Sequence, residues 1–352
     1  MLKNRWYALL ESGKLRKKPI EIKRMGKSLA LWRDAEQRPQ LVDAACPHRG
    51  AALGTGRVVD GELVCPWHGF RFDATGRCTL MPCEGPEAKI PKALRVVRYP
   101  VREQYGLVWM WWGEERETYP PLPFFKSEAA RVGSTDASYI LPYHYSRMIE
   151  TNLDIHHTAF VHGNVVPVGA RVMAFEAHVE GDRIYSSGVL VKEKNALASP
   201  GGAKGKAKGM PFRADLILPN LVLIELTPKL RILVCATPVD DDHSWMWFRY
   251  CQTYTSSAVL GKIITWLSVK TELQIVQRQD WRLFRGLPPG TIDDYDYAFV
   301  HADKAIALYR KLRAQQLEAD AAKDSESTSD GAQTPGSQPS QSHPPRQVSL
   351  AR

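Results

Sequence analysis

The chain has 352 residues, of which 44% are hydrophobic and 24% charged, and it carries a formal net charge of +9. Because a single hydrophobic core stops growing at about 250 to 300 residues, this length predicts two domains. No run approaches the ~18 apolar residues of a membrane span, and the N-terminus lacks the apolar core of a secretory signal, which predicts a cytoplasmic protein without a membrane segment. The Lys and Arg residues are scattered, without a dense basic arm or a DNA-reading motif, and an acidic protein partner explains the positive charge at least as well as nucleic acid does.

Short segments of strand-forming residues, separated by Gly and Pro, fill residues 1 to about 115. This pattern predicts a small antiparallel β domain. The predicted strands cover residues 29–32, 40–42, 62–64, 95–99 and 107–112. The Pro-rich segment 119–123 follows, and its stiffness predicts a linker between two domains.

Two motifs in this first region, Cys46-Pro-His48 and Cys65-Pro-Trp-His68, each contain one cysteine and one histidine. Two thiolates and two imidazoles are the ligand set of a Rieske [2Fe–2S] centre, in which two histidines replace two cysteines on one iron. A proline and a glycine accompany each motif, and rigid turns of this kind allow backbone amides to approach the sulfurs. The motifs therefore predict an iron–sulfur site.

A zinc site is the alternative interpretation, because zinc accepts the same ligand types. In the common zinc fingers, however, cysteines pair with cysteines along the chain and histidines with histidines, whereas each motif here supplies one of each. Disulfides suit short secreted chains rather than this one. The remaining cysteines have no histidine at ligand spacing and are predicted to be small buried apolar residues. They are Cys78, Cys83, Cys235 and Cys251.

The chain after the linker predicts an antiparallel sheet flanked by helices. Residues 144–162 have helical character, and a turn at 238–243 predicts a hairpin between the last two strands. Helical spacing of apolar residues resumes at Ser257, and a last helix is predicted over 298–319. The predicted strands of this region cover 216–218, 221–226, 231–236 and 245–250.

Two segments have the composition of flexible chain. Residues 199–209, rich in Gly, Ala and Lys, predict a basic loop that is either a solvated excursion or a mobile lid over a substrate pocket. Residues 321–352 consist mainly of polar residues with Pro and Gly, so they cannot bury enough surface to fold. They predict a disordered tail.

A second set of metal-binding side chains follows the linker, where His156, His157 and His162 lie close to Asp154. Two histidines and one carboxylate form the facial triad of non-haem Fe(II) oxygenases, which leaves iron positions open for dioxygen. Residues 157 and 162 lie about 140° apart on an ideal helix. A helix that presents both histidines to one metal must therefore be distorted, or end where His162 binds.

Asp280 is a candidate for the carboxylate of such a triad. It lies within the apolar stripe of a predicted helix, and an ionised carboxylate on a buried face needs a compensating cation such as a metal. The stripe consists of Leu273, Val276, Leu283 and Phe284. The alternative is an ion pair with Arg278 or Arg282. Three other acids follow a Gly- and Pro-rich segment, where loop or capping roles are expected. They are Asp293, Asp294 and Asp296.

Read with their neighbours, the motifs Cys46-Pro-His-Arg-Gly-Ala51 and Cys65-Pro-Trp-His-Gly-Phe70 resemble those of the Rieske non-haem iron oxygenases, the aromatic-ring-hydroxylating oxygenase alpha subunits. The resemblance covers residues 1 to about 320 and is greatest to the vanillate and dicamba O-demethylase-like monooxygenases. It implies an α+β fold. An N-terminal all-β Rieske [2Fe–2S] domain would span residues 1–115, and a C-terminal helix-grip catalytic domain, an antiparallel sheet with helices, would span 116–320.

The resemblance also implies roles for individual residues. Its Asp-x-x-His-x-x-x-x-His pattern fits Asp154, His157 and His162 and leaves His156 as the alternative ligand, while Gln279-Asp280 resembles the downstream acidic ligand position. In resembling enzymes the aspartate bridges a cluster histidine and an iron histidine across the subunit boundary of a trimer. The chain departs from the family in one respect, because the usual asparagine three or four residues before this aspartate is replaced by Thr151 and Glu150.

The implied protein is a terminal oxygenase with a Rieske cluster and a mononuclear Fe(II), assembled as a homotrimer. It would use O2 to hydroxylate or oxidatively demethylate an aromatic or alicyclic small molecule. Because the chain lacks a Gly-x-Gly-x-x-Gly fingerprint, NAD(P)H oxidation is assigned to a separate reductase, with or without a ferredoxin. Ring cis-dihydroxylation and amine oxidation or cyclisation remain alternatives. So do a plain Rieske electron carrier and a ligand-binding domain that has lost its iron.

Overall fold

A computed structural model describes residues 1–128, 132–162, 171–191 and 209–330. The N-terminal region contains three small antiparallel sheets, ordered β1-β10-β9, β2-β3-β4 and β5-β6-β7-β8. Their strands are β1 (Arg5–Glu11), β2 (Ile20–Arg24), β3 (Lys27–Arg33), β4 (Pro39–Asp43), β5 (Arg57–Val59), β6 (Glu62–Val64), β7 (Arg71–Phe72), β8 (Cys78–Leu80), β9 (Val101–Gln104) and β10 (Leu107–Trp112).

Four of the five strands predicted in this region lie within observed strands, and the prediction for residues 95–99 is wrong. That segment makes only isolated bridges, from Arg95 to Arg77 and from Arg98 to Val42. A continuous ladder cannot extend through Pro100, because proline has no N–H to donate. The regular strand begins beyond it, at β9, which pairs with β10.

The second region is built on one large antiparallel sheet, ordered β11-β17-β16-β15-β14-β13-β12 within the described part of the chain. Its strands are β11 (Thr135–Leu141), β12 (Arg171–Glu180), β13 (Arg183–Val191), β14 (Gly209–Ile217), β15 (Leu221–Thr227), β16 (Leu230–Pro238) and β17 (Ser244–Gln252). The predicted hairpin is confirmed, since Pro238 pairs with Ser244 at the end of the β16–β17 ladder. This sheet with its helices has the predicted helix-grip architecture.

Helices cover one face of the large sheet. They are α1 (Tyr145–Leu153), α2 (His156–Val161), α3 (Ala258–Thr271), α4 (Gln277–Phe284) and α5 (Lys304–Asp330), with a π-helical turn, Glu272–Val276, between α3 and α4. Short 3-10 turns occur at Ser12–Lys14, Leu53–Thr55, Lys126–Glu128, Ile292–Asp294 and His301–Asp303. None of the helices in the described ranges is long and apolar enough to cross a membrane.

The last helix differs from its prediction at both ends. It begins at Lys304, after the turn His301–Asp303, and it continues to Asp330. The prediction that disorder starts at residue 321 is therefore wrong for 321–330, because Ala321, Ala322 and Lys323 are good helix formers that extend an existing helix. Residues 331–352 of the predicted tail lie outside the described residues, as do residues 199–208 of the predicted basic loop.

Strand β17 is buried on both faces, and its successive side chains pack alternately into two different hydrophobic cores. Trp245 and Trp247 pack with Trp109 of the N-terminal region, whereas Phe248 and Tyr250 belong to the core shared with the helices. This alternation follows from the two-residue repeat of a β-strand. The large sheet therefore holds the N-terminal domain on one side and the helices on the other.

The predicted linker is packed rather than free. The Tyr119 ring lies 5.6 Å from that of Trp6 and 5.2 Å from that of Trp111, measured between centroids. Leu122 is buried in the core between the N-terminal domain and the large sheet. These contacts orient the two halves of the chain relative to each other.

Candidate metal centres

The two Cys-His loops of the N-terminal domain have the same backbone design. The N–H of Cys46 donates to the carbonyl of Ala51 at 2.9 Å, and the N–H of Gly50 donates back to the Cys46 carbonyl at 2.8 Å. The second loop repeats both hydrogen bonds. The N–H of Cys65 donates to the carbonyl of Phe70 at 2.8 Å, and the N–H of Gly69 donates to the carbonyl of Cys65 at 3.2 Å. Gly50 and Gly69 have φ of 74° and 71°, in the left-handed region that favours glycine.

The two loops place their thiols inside and their imidazoles at the surface. Cys46 and Cys65 are 3% and 2% exposed, whereas His48 is exposed and His68 half-buried. The two imidazole centroids lie 4.8 Å apart. The loops therefore present two cysteines and two histidines toward each other, with the histidine pair facing solvent.

The thiol environment fits an iron–sulfur cluster. Burial raises the pKa of the Cys46 thiol to about 11, and the hydrogen-bonded thiol of Cys65 adds to this. The backbone N–H groups of His48 and Arg49 donate to the same sulfur and lower its pKa, because they stabilise the thiolate. Amide donors at a buried sulfur are also among the features that set the potential of iron–sulfur clusters.

The remaining cysteines follow their prediction with one exception. Cys78, Cys235 and Cys251 are buried, whereas Cys83 is exposed. Burial raises the pKa of Cys235 to about 12, which makes that thiol unreactive. Cys83 follows Pro82 in an irregular segment after β8, where no core is available to cover it.

The second centre begins at a break between α1 and α2. Asp154 lies in this break, and its Oδ1 accepts hydrogen bonds from the backbone N–H groups of His156 at 2.9 Å and His157 at 3.3 Å. The helix predicted over 144–162 is thus two helices, and Asp154 meets His157 by accepting its backbone N–H at the start of α2 rather than by sharing a helix face. The expected helix end is confirmed, because α2 stops at Val161 and His162 has φ −109° and ψ 14°.

Three predicted ligand side chains converge at this point. Nitrogen atoms of His157 and His162 and a carboxylate oxygen of Asp280 all lie within 4.8 Å of one another. The closest approach is 3.0 Å, between Nε2 of His162 and Oδ1 of Asp280. His156 is outside this group, and its ring lies near Phe175 instead, at 6.3 Å between centroids.

Hydrogen bonds orient both histidines toward the same point. Nδ1 of His157 bonds the backbone carbonyl of Asp154, and Nδ1 of His162 bonds Oε1 of Gln279 at 2.8 Å. Because carbonyl oxygens only accept, both Nδ1 atoms are the donors, and both Nε2 atoms keep their lone pairs. Metal-binding histidines are held in this way by an acceptor behind the ring.

Asp280 also fits a metal site. Its Oδ1 is buried and makes no hydrogen bond of acceptable geometry within the described part of the chain, although Nε2 of His162 is close. A buried carboxylate oxygen without a hydrogen-bond donor is costly unless a cation compensates it. Two imidazole nitrogens and one carboxylate are the donor set of a mononuclear non-haem iron.

The alternatives for these acids can now be compared with the structure. Asp280 faces His162, and the structure shows no ion pair from it to Arg278 or Arg282 among the described residues. Asp294 accepts from the N–H of Thr291 at 2.6 Å, which confirms a capping role for that acid. Asp293 instead forms an ion pair with the buried Arg313, which the prediction of a loop or capping role did not include.

The apolar stripe predicted around Asp280 is wrong in part. Leu273 and Leu283 are 39% and 46% exposed, although Phe284 is buried as expected. The π-helical turn is the physical reason, because its wider i to i+5 spacing changes which side chains face inward. Gln277 and Asp280 take the inward positions after it.

A cavity of about 340 Å³ adjoins the three side chains. Alternate residues of β15, β16 and β17 form its floor, and α1, α3 and α4 form its walls. The lining is mostly apolar and includes Ile224, Ile232, Val234, Met246 and Phe248. A site of this kind admits a small organic molecule beside the candidate metal.

Glu272 also lines this cavity, although no motif or spacing in the sequence indicates it. Burial raises the pKa of Glu272 to about 7. The hydrogen bond that its Oε2 accepts from the Tyr250 hydroxyl at 2.6 Å lowers this pKa, but by less than burial raises it. Burial lowers the pKa of His162, but Asp280, Gln279 and Glu272 outweigh it and raise that pKa overall. On an ideal helix residues 272 and 280 would lie about 80° apart, and the π-helical turn reduces this angle.

Comparison with known proteins agrees with this two-centre arrangement. Residues 5–100 match the family described as the Rieske [2Fe-2S] domain, and residues 142–319 match the vanillate O-demethylase oxygenase C-terminal domain. These two domains together define the Rieske non-haem iron oxygenases, whose cofactors are the [2Fe–2S] cluster and a mononuclear iron. The chain belongs to this family and has the vanillate O-demethylase type of C-terminal domain. A zinc site at the Cys-His loops is therefore ruled out.

Individual relatives show the range of the family. The chain is 32% identical to Protein TIC 55, chloroplastic, of Pisum sativum, and 32% identical to the 3-chlorobenzoate-3,4-dioxygenase oxygenase subunit of Comamonas testosteroni. These matches cover 61% and 70% of this chain but only 38% and 58% of the relatives' own lengths. The crystal structure of dicamba monooxygenase bound to dicamba has the same fold, with a TM-score of 0.70 at 20% identity, over 92% of this chain and 99% of that one.

Proposed function

We propose that this protein is the terminal component of an oxygenase system, which hydroxylates or oxidatively demethylates an aromatic or alicyclic small molecule with O2. The observation that carries the proposal is the convergence of His157, His162 and Asp280 at the edge of an apolar cavity. When bound, the cluster supplies single electrons and the Fe(II) supplies the activation of dioxygen. A plain electron carrier would have no use for this second centre.

The chain's own residues prepare the site in two ways. Asp154 and Gln279 accept the Nδ1 protons of the two histidines and so keep both Nε2 atoms free for the metal. The apolar side chains of the cavity floor exclude water from one side of the site and bind the ring of the substrate. We assign His157, His162 and Asp280 as the iron ligands, and Cys46, His48, Cys65 and His68 as the ligands of the cluster.

We further propose that Asp154 links the two centres across a subunit boundary of a homotrimer. Its carboxylate is 32% exposed, and Oδ2 lies 3.8 Å from Nδ1 of His157. The surface position of His48 and His68 suits contact with another subunit. Among the described residues, no hydrogen bond or ring contact joins the cluster loops to the iron ligands of the same chain.

The electrons would come from outside the chain. We propose a separate NAD(P)H-dependent reductase, acting directly or through a ferredoxin, and a cytoplasmic location. The formal net charge of +9 supports an acidic electron-transfer partner, because opposite charges steer such proteins together. Association that weakens as salt is added would agree with this pairing.

Metal analysis of the purified protein tests the proposal directly. A Rieske oxygenase should contain about three irons per chain, two in the cluster and one at the second centre. A chain with a Rieske spectrum and only about two irons would contradict the proposal and favour an electron carrier or a binding domain without iron.

Turnover with ¹⁸O2 distinguishes the possible reactions. We expect product that carries one labelled oxygen atom, with formaldehyde released where a methyl group is removed. Two labelled atoms in a cis-diol would instead assign ring dihydroxylation. A ring closed or an amine oxidised without a hydroxylated product would assign the remaining alternative.

A further inference from the structure

The cavity contains a carboxyl group that the proposed reaction does not use. Glu272 lies in the π-helical turn, and the Tyr250 hydroxyl donates to its Oε2 at 2.6 Å. No described residue donates a hydrogen bond to Oε1 of the same carboxyl group. Because Tyr250 fixes one oxygen, the other has a defined direction in an apolar surrounding, where an acceptor without a donor is costly.

The other two acids of the cavity are already engaged. Asp154 accepts hydrogen bonds from backbone N–H groups of α2, and Asp280 faces His162. The described residues that line the cavity include no Lys or Arg, so no described cation compensates Glu272. Glu272 is therefore the acid of the cavity with an acceptor available to a ligand.

We propose that Glu272, held by Tyr250, binds a hydrogen-bond donor of the substrate, a hydroxyl or an amino group on an otherwise apolar ring compound. The inference rests on the proposed function, because it takes this cavity as the substrate pocket. The same acid disfavours substrates that carry a carboxylate.

Neighbouring side chains support a donor at this position. Tyr139 lines the same cavity from β11, and its ring stacks on Phe248 with centroids 5.3 Å apart. Burial raises the pKa of Tyr139 well above its usual value, and the negative charges of Glu272 and Asp280 raise it further. The cavity thus combines a ring-sized apolar floor with a negative end beside the candidate iron.

Three probes of matched size test the inference by binding rather than by turnover. They are 2-naphthylmethylamine, 2-naphthalenemethanol and 2-naphthoate, which share one ring system and differ in the group that would meet Glu272. Calorimetric titration into the iron-loaded protein without oxygen, at about pH 8 where the Glu272 carboxyl is mainly ionised, gives their dissociation constants. We expect the amine to bind roughly tenfold more tightly than the naphthoate, with the alcohol between them.

The variant Glu272→Gln should weaken amine binding by roughly tenfold and bring the amine and the naphthoate close to equal affinity. Glu318→Gln removes the same charge from an exposed position of α5 and should change neither value. Naphthoate binding as tight as amine binding in the unaltered protein, or unchanged amine binding in Glu272→Gln, would overturn the inference.

Tyr250→Phe supplies a second variant that keeps the cavity shape. It should weaken amine binding less than Glu272→Gln does, because the carboxylate remains but is no longer held in place. A larger loss in Tyr250→Phe than in Glu272→Gln would assign recognition to the hydroxyl and overturn the role of Glu272. Iron content and the visible spectrum are measured on the same samples. A missing second iron would contradict the proposed function, whereas the relative affinities of the three probes test only the role of Glu272.

Discussion

The two metal centres are built in contrasting ways. The cluster site consists of two loops of six residues, 46–51 and 65–70, each closed by its own backbone hydrogen bonds. The proposed iron site combines a histidine at the start of α2, a histidine just beyond its end, and an acid 118 positions later, Asp280, on α4. The first centre is a local motif that a short sequence encodes, whereas the second exists only when α2 and α4 pack together.

Removal of a cluster ligand should have the largest effect. Cys65→Ser leaves the cluster with one thiolate on its buried side, so we expect iron content to fall from about three to about one per chain, with loss of the visible Rieske spectrum and of turnover. Iron assay and absorption spectra measure this. Cys83→Ser, at an exposed cysteine of the same domain, is the control and should retain the spectrum. A surviving spectrum in Cys65→Ser would refute the ligand assignment.

Loss of Asp280 should affect the second centre and leave the cluster intact. In Asp280→Ala the cluster spectrum should remain while iron falls from about three to about two per chain, and substrate oxidation should drop to background. Asp296→Ala removes an exposed acid nearby and should behave as the unaltered protein. Full turnover in Asp280→Ala would show that another residue supplies the carboxylate ligand.

Asp154→Asn tests the link between the centres. The amide oxygen of asparagine can accept the same backbone hydrogen bonds as the carboxylate, so the fold of α2 and both metals should be retained. Turnover should fall by about 100-fold, because the carboxylate that we propose to link the two centres loses its charge. Iron content, spectrum and coupled turnover are compared with those of Asp241→Asn, an exposed control. Normal turnover in Asp154→Asn would exclude the bridging role.

The smallest effect is expected from substitution of Gln279, which accepts the Nδ1 proton of His162. Gln279→Leu removes the acceptor of its Nδ1 proton, so the ring is no longer held in one orientation. We expect the second iron to bind about 10- to 100-fold more weakly, with the cluster unaffected. Competition with a chelator measures this affinity, and Gln315→Leu on exposed α5 is the control. Equal affinities in the two variants would show that Gln279 does not orient the ligand.

The same contrast explains which features the sequence could predict. The Cys-His loops and the strands at 29–32 and 107–112 depend on neighbours in the chain, so motif and alternation were sufficient. The choice of His157 over His156 came from a family pattern, and the structure alone shows which ring meets Asp280. Glu272 was missed because a π-helical turn is not visible as a period in the sequence, yet it sets which residues of α4 face the cavity.

The burial of β17 on both faces has a consequence for the diversification of this enzyme. Met246 and Phe248 shape the cavity, whereas Trp245 and Trp247, one position away, contact the N-terminal domain. Mutations at the even-numbered positions can therefore select new ligands while the surface that seats the Rieske domain stays constant. A library restricted to 232, 234, 246 and 248 would vary the cavity while leaving the contacts between the Rieske domain and the large sheet in place.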